Sequence, residues 1–360
     1  MSGDTSLHFL LFLFTFYKIS TIMIINIDYL KLHLKLNDIN CSPDFKRKKL
    51  KYSSRHFAVI EEIYMYDLKV ATLESQPHSS ILEASSALLK IENRYLYSTE
   101  LDYLLKSIIH YLNAEIKGIS RLDICADFVK FRNNITPSNL INSFLKEKYL
   151  RNGRGKYTVI GSQQNVRSVE YLRFGSKTSA VNVYLYNKSL EMNQVKHKHY
   201  IEESWSDLER AEDEDVWRLE VSLTTEAMKY VDHETGEYFT IGLNHVLDDN
   251  FIKKLYFSLV QRYFQFKIND NTKNKTRMKT LQLFNIADMQ YQRIKFTERK
   301  DVTRRDKVFL KSVYQFERRY PCASETAVVA SSSVLSSIQK DTFLYKYFQD
   351  KKHYWDKEEI

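Results

Sequence analysis

From Ile24 to Leu36 apolar and polar residues alternate for much of the run, and period-two alternation predicts a half-buried strand. The basic cluster KRKKLK at 46–51 follows as a loop or strand edge with its cations in water. Residues 79–90 and 99–116 carry 3.6-residue spacing instead, which predicts two amphipathic helices. In the second, Leu101, Leu104, Leu105, Ile108, Ile109 and Leu112 share a stripe, with Thr99 as N-cap and Gly118 as the stop. A further helix is expected over 137–150, capped by Ser138. Three segments alternate strictly. In SRLDICADF (120–128) Leu122, Ile124, Ala126 and Phe128 oppose Arg121, Asp123, Cys125 and Asp127. In VNVYLYNK (181–188) Tyr184, Tyr186 and Lys188 oppose Val183, Leu185 and Asn187. In VWRLEVSLT (216–224) Arg218, Glu220, Ser222 and Thr224 oppose Trp217, Leu219, Val221 and Leu223. Each segment predicts a strand with one side for helices and one side bearing ionisable groups. Gly153, Gly155, Gly161 and Gly175 mark hairpins feeding the tyrosine strand, and the acidic run 202–215 reads as a solvated helix or loop.

After about residue 243 the alternation yields to helical, basic, aromatic sequence, which places a domain boundary near 240–250. Residues 23–243 are then one domain and 244–360 a helical, basic accessory region. The apolar run HFLLFLFTFY (8–17) is about half the ~20 residues that a spanning helix needs. Residues 1–22 are therefore expected to be an extension ahead of Met23, and no membrane partner is expected.

Composition narrows the class. With 43% hydrophobic and 28% charged residues the chain of 360 residues is globular, and 8 Gly with 4 Pro exclude a long flexible linker. Cys41, Cys125 and Cys322 lie too far apart for a disulfide framework or a metal knuckle, which predicts free thiols in a reducing, cytoplasmic setting. The net charge of +9 is regional: residues 251–319 hold 18 Lys/Arg against 6 Asp/Glu. Cations interleaved with rings suit a nucleic acid, since charge attracts phosphates and rings stack on bases; the same pattern also suits amphipathic helices with aromatic cores. The turn-like KNKTRMK concentrates Lys273, Lys275, Arg277 and Lys279 as candidate DNA contacts.

If the three ionisable strand faces converge, Asp123, Asp127 and Glu220 could hold a hard divalent cation such as Mg2+ or Mn2+. A tyrosine on the neighbouring strand could then attack a phosphodiester and form a covalent phosphotyrosine. A phenol with pKa of about 10 needs help to ionise, from the metal or from Lys188 or Arg121. Arg121 with Asp123 could equally be an ordinary ion pair, and with 25 tyrosines periodicity selects none of them.

R-L-D-x-x-x-D at 121–127, R-F-G-S-K-x-S at 173–179, Y-L-Y-N-K at 184–188 and W-R-L-E at 217–220 together resemble the replication-initiation (Rep_trans-type) family of rolling-circle plasmids and related phages. The resemblance covers about residues 115–225. It implies an α+β fold, a central antiparallel sheet with helices on one face, as a variant of the HUH endonuclease. It also implies a metal-dependent nicking-closing endonuclease that makes a 5'-phosphotyrosine link and frees a 3'-hydroxyl. By position the nucleophile is Tyr186, with Tyr184 in reserve. Asp123 and Glu220 become metal-site residues, with Asp127 as a further candidate, and Arg218 and Lys188 contact phosphate. Arg173 and Lys177 of the basic turn join them as DNA contacts. The implied partners are plasmid or phage origin DNA, a host helicase and polymerase, and a second copy of the chain in a homodimer. His197 and His199 flank a lysine where the paired-histidine motif wants an apolar residue, so they read as a solvated loop and the third metal ligand stays open. A relaxase or transposase, and a non-catalytic DNA-binding regulator, are the alternative classes.

Overall fold

The computed structural model describes residues 23–284 apart from 38–41, 153–155, 162–168, 177, 196, 209, 212, 232–237 and 273. A first compact unit runs to Phe296; the second, 297–360, lies outside the described residues, as do the expected N-terminal extension, Cys41 and Cys322.

Ten strands form one sheet in the order β2-β3-β4-β5-β1-β6-β11-β10-β9-β8, every adjacent pair antiparallel. They are β1 (Ile24–Leu36), β2 (Phe45–Lys49), β3 (Phe57–Met65), β4 (Leu68–Pro77), β5 (Ser86–Ile91), β6 (Ala114–Phe128), β8 (Tyr157–Gly161), β9 (Val169–Phe174), β10 (Val181–Asn187) and β11 (Trp217–Thr224). The three strictly alternating segments lie on β6, β11 and β10, which are consecutive in the sheet, so their ionisable sides line up as one surface. The cluster at 46–51 supplies β2, an edge strand whose lysines keep it in water.

Helices α2 (Leu101–Tyr111), α3 (Pro137–Leu145) and α7 (Asp249–Tyr263) pack on the apolar face. Leu101, Leu104, Leu105 and Ile108 of α2 meet Leu122, Ile124 and Phe128 of β6 in a single core. Burying a side chain of this size is worth about 1.5–3 kcal/mol, which outweighs the weak propensity of so short a helix. The cap of α3 is Thr136, not Ser138: its hydroxyl accepts from the Asn139 N–H at 3.2 Å. The N-cap of α2 is Glu100 rather than Thr99, and no side chain bonds there.

Two expectations fail for one reason, the sheet's demand for partners. Residues 79–90 are not a helix: 79–85 is turn-rich and Ser86–Ile91 is β5, paired with β1 and β4 on either side. Gly118 does not stop a helix, because α2 ends at Tyr111 and Gly118 already lies inside β6 opposite His33. The compositional change near 243 is also no boundary in the packing. After the short helix α6 (Leu243–Val246), α7 buries Ile252, Leu255, Tyr256 and Val260 in the same core, and the Tyr256 hydroxyl donates to the Leu219 carbonyl at 2.9 Å. The expected feed into the tyrosine strand is present, since β8 pairs with β9 and β9 with β10; β7 (Tyr149–Arg151) instead makes a long-range pair with β14 (Phe266–Ile268). A two-stranded ribbon, β12 (Lys229–Val231) with β13 (Tyr238–Thr240), completes the strands. No helix among the described residues is long and apolar enough to cross a membrane.

Candidate active site

Cross-strand register orders the polar face into rows. Tyr186, Arg218 and Asp127 lie opposite one another; Tyr184, Glu220 and Cys125 form the next row, and Asn182, Ser222 and Asp123 the third. Strand β1 extends these rows with Ile24, Asn26 and Tyr29. Its pairing slips between Ile27 and Tyr29, a bulge that adds Asp28 to the face. The slip is visible in the sequence: Ile24 apart, apolar residues fall at odd positions through Ile27 and at even positions from Leu30.

Part of this face is covered. Helices α4 (Lys188–Gln194) and α5 (His199–Ser204), with the turn at Trp205–Asp207, form a small second core of Met192, Ile201, Trp205, Leu208 and Val216, and the short helix α1 (Asn93–Leu96) joins them through the Tyr200 hydroxyl, which donates to Asn93. Helix α4 begins directly after β10 because the Asn187 side chain caps it, accepting from the Leu190 N–H at 2.9 Å. The acidic run at 202–215 is therefore not wholly solvated.

Beneath the cover Arg218 has no exposed surface and reaches two carboxylates. Its Nε and Nη2 donate to Asp127 Oδ1 and Oδ2 at 2.6 and 2.7 Å, and Nη1 donates to Asp28 Oδ1 at 2.5 Å. Asp127, also without exposed surface, accepts a further bond from Trp205 Nε1 at 2.8 Å. Asp28 accepts from the Tyr97 hydroxyl at 2.7 Å, and the Asn93 amide donates to its backbone carbonyl. Burial would raise the Asp28 carboxyl, but Arg218, the Tyr97 hydroxyl and Lys188 hold it well below the usual range. In this arrangement Arg218 faces carboxylates rather than phosphate, and three of the roughly four acceptor sites of Asp127 are taken, one on Oδ1 and two on Oδ2.

The outer cluster is different. Tyr186 donates its hydroxyl to Glu220 Oε2 at 3.0 Å. Lys188, almost fully buried, sits 5.6 Å from the centroid of the Tyr186 ring and donates to Glu191 at 2.5 Å. Arg121 grips Asp123 through Nε at 2.9 Å and Nη2 at 2.5 Å, and its guanidinium lies 4.4 Å from the Tyr29 ring centroid. Burial, then repulsion from Asp123 and Asp28, pushes Glu220 up to about 8. Burial also raises Asp123 despite its arginine. Tyr186 is held well above the ordinary phenol value by burial and by Glu220; Tyr184, in the register position opposite Glu220, shifts the same way for the same causes. Buried Cys125 is a free thiol raised by burial, with its sulfur 3.8 Å from the Tyr97 hydroxyl.

Such crowding of negative charge is what a divalent cation relieves. Glu220, raised first by burial and then by Asp123 and Asp28, offers a carboxylate that such an ion would favour in its charged form. Asp123 fits if Arg121 shares it; Asp127 keeps one acceptor site beside Arg218 and Trp205.

Arg173 lies across from Tyr184, and its Nη2 reaches Thr158 at 3.4 Å. Lys275, Arg277 and Lys279 are exposed on the turn after β14, whose Phe266 packs on Phe174 of the apolar side, so they do not join the tyrosine cluster. Lys177 and Lys273 lie outside the described residues. His197, His199 and Glu202, expected to be merely solvated, come together with one ligand atom from each within 4.8 Å of the others. Sequence reasoning missed Asp28, Asn93, Tyr97, Tyr200 and Trp205; only Asp28 left a trace, the slip in alternation.

Neither a protein-family model nor a curated protein matches the chain. Among solved structures, the rolling circle replication initiator protein from Geobacillus stearothermophilus is similar with a TM-score of 0.43 and 12% identity, over 76% of this chain and 100% of that one.

Proposed function

We propose that the chain is a rolling-circle replication initiator that nicks one strand of a plasmid or phage-like origin by transesterification. The observation that carries this reading is the 3.0 Å hydrogen bond from the Tyr186 phenol to Glu220, on the face that also presents Asp123. A phenol hydrogen-bonded to one carboxylate, with a second carboxylate on the same sheet face, supports attack on a phosphodiester.

The Tyr186 oxygen attacks phosphorus, the bond to the 3' oxygen breaks, and that oxygen takes a proton from water to become the 3'-hydroxyl while the 5' phosphate stays on the tyrosine. Glu220 orients the phenol and, once ionised, accepts its proton. Lys188, at 5.6 Å from the ring centroid, favours the phenolate. Glu220 and Asp123 are the residues that would hold Mg2+ or Mn2+. When bound there, such an ion neutralises charge at the scissile phosphate and lowers the barrier to phenol ionisation. The phosphotyrosine preserves the ester's energy, so the free 3'-hydroxyl can later reseal the strand. The exposed Lys275, Arg277 and Lys279 supply sequence-independent attraction to DNA.

The test uses purified full-length chain, supercoiled candidate origin DNA and Mn2+, read as nicked DNA carrying denaturant-resistant protein. Wild type and Tyr184→Phe should form the linkage and Tyr186→Phe should not. Loss only in Tyr184→Phe would transfer the role to that residue. No linkage in wild type on any origin, with DNA binding retained, would favour a regulator in which Asp123 and Asp127 serve only to pair with Arg121 and Arg218.

A further inference from the structure

We propose that His197, His199 and Glu202 form a binding site for a zinc-class transition-metal ion, separate from the carboxylates of the polar face. One ligand atom from each lies within 4.8 Å of the other two. His197 Nε2 stands 3.3 Å from Glu202 Oε2, and the two imidazole rings meet edge to face with centroids 4.5 Å apart. Metal–ligand bonds of about 2.0–2.2 Å at tetrahedral angles separate adjacent ligand atoms by about 3.3–3.6 Å. The His197–Glu202 pair already stands at that spacing, and His199, whose ligand atom lies within 4.8 Å of both, has at most about 1.5 Å to close.

The backbone explains why the intervening lysine does not spoil the site. Lys198 is extended, with φ −126° and ψ 92°, so its neighbours project to one side and it projects to the other. His197 and His199 are exposed, whereas Lys198 is half-buried and lies within the electrostatic reach of Lys188 and Asp28. Glu202 follows His199 by three residues on α5, which returns its carboxylate to the same side. Two imidazoles and one carboxylate suit Zn2+, Co2+ or Ni2+ better than Mg2+, and leave one position of a tetrahedron to water. An ion there would tie the turn at Lys198 to α5, and α5 carries Tyr200, whose hydroxyl reaches Asn93 at 2.7 Å beside Asp28. The site would thus brace the rim of the covered half of the polar face.

The experiment takes full-length chain without an affinity tag, stripped with chelator, and titrates it with ZnCl2 by calorimetry and with CoCl2 by visible absorption. With excess Mg2+ present to occupy the carboxylates of the polar face, one ion per chain is expected, with a tetrahedral Co2+ spectrum. His197→Ala, His199→Ala and Glu202→Gln should each weaken binding at least about tenfold, and Glu220→Gln should leave it intact. All three ligands are exposed, so metal-free melting should match wild type in each variant, and His199→Gln gives a closer isostere should the alanine disturb α5. Absence of saturable Zn2+ binding in wild type, unchanged affinity in the three ligand variants, or loss in Glu220→Gln alone would each overturn the proposal. The first two outcomes leave nicking untouched, since it rests on Tyr186, Glu220 and Asp123; the third would move the ion to the nicking site.

Discussion

Replacing Arg218 with methionine separates a buried structural role from a phosphate contact. Methionine keeps most of the stem and deletes the guanidinium, so Asp127 loses two bonds of 2.6 and 2.7 Å and Asp28 one of 2.5 Å. Breaking a buried pair by removing one partner costs about 3–5 kcal/mol, because the remaining charge stays desolvated. Asp28, whose side chain is 18% exposed, can rehydrate in part, whereas Asp127 at 0% cannot, so the lower half of that range is expected. At about 2–4 °C per kcal/mol for a unit of this size, the melting temperature should fall by roughly 6–16 °C at neutral pH. Acid supplies an internal control. The Asp28 carboxyl is lowered in the folded protein, so its contribution is present above the unfolded value of about 4 and is lost as pH falls through the lower folded value. The gap between wild type and Arg218→Met should therefore narrow below about pH 4. Circular-dichroism melts from pH 3 to 8, paired with DNA-binding isotherms against salt, read both effects. Unchanged melting together with a log–log salt slope smaller by about one would mean that Arg218 does meet phosphate and that the buried network is misread.

Glu220→Gln should abolish a pH dependence. The folded carboxyl is raised to about 8, so wild type loses stability as pH climbs from the unfolded value of about 4.3 towards 8, and the glutamine variant should lack that slope in urea titrations. Parallel curves would rule the shift out. In the same window Mn2+ binding to wild type should release protons, measured by calorimetry in buffers of differing ionisation enthalpy, and Glu220→Gln should release fewer. Gly175→Ala should destabilise by about 1–3 kcal/mol in thermal melts, because φ is +108° and an added Cβ would stand 2.5 Å from Asn182 Oδ1 and 3.1 Å from the Val181 carbonyl. Leu105→Ala, at the fully buried centre of the α2 stripe, should cost about 2–5 kcal/mol in urea unfolding, and a loss under 1 kcal/mol would show that the core closes over the gap.

The strands of the candidate site were legible because alternation survives in the one-dimensional record: a strand with Asp123 and Asp127 opposite Leu122 and Ala126 can have only one wet side. The stripe of α2 was legible for the corresponding reason at helical period. Residues 79–90 misled because hydrophobic spacing in a short run does not reveal whether sheet partners are waiting, and β5 is claimed by β1 and β4. The same limit applies at the site. Strand phase put Arg218, Glu220, Asp123, Asp127 and Tyr186 on ionisable sides, and the order of strands in the sheet set those sides next to one another.

Which of those residues stay available for chemistry was decided by segments remote in the chain. Trp205 takes an oxygen of Asp127, the bulge at Asp28 supplies Arg218 with its second carboxylate, and Tyr97 closes over Cys125. Local sequence determines direction and period, since side chains follow the backbone that carries them. Desolvation and pairing depend on what other parts of the chain bring within a few ångströms, and that is settled only when the sheet and its cover assemble.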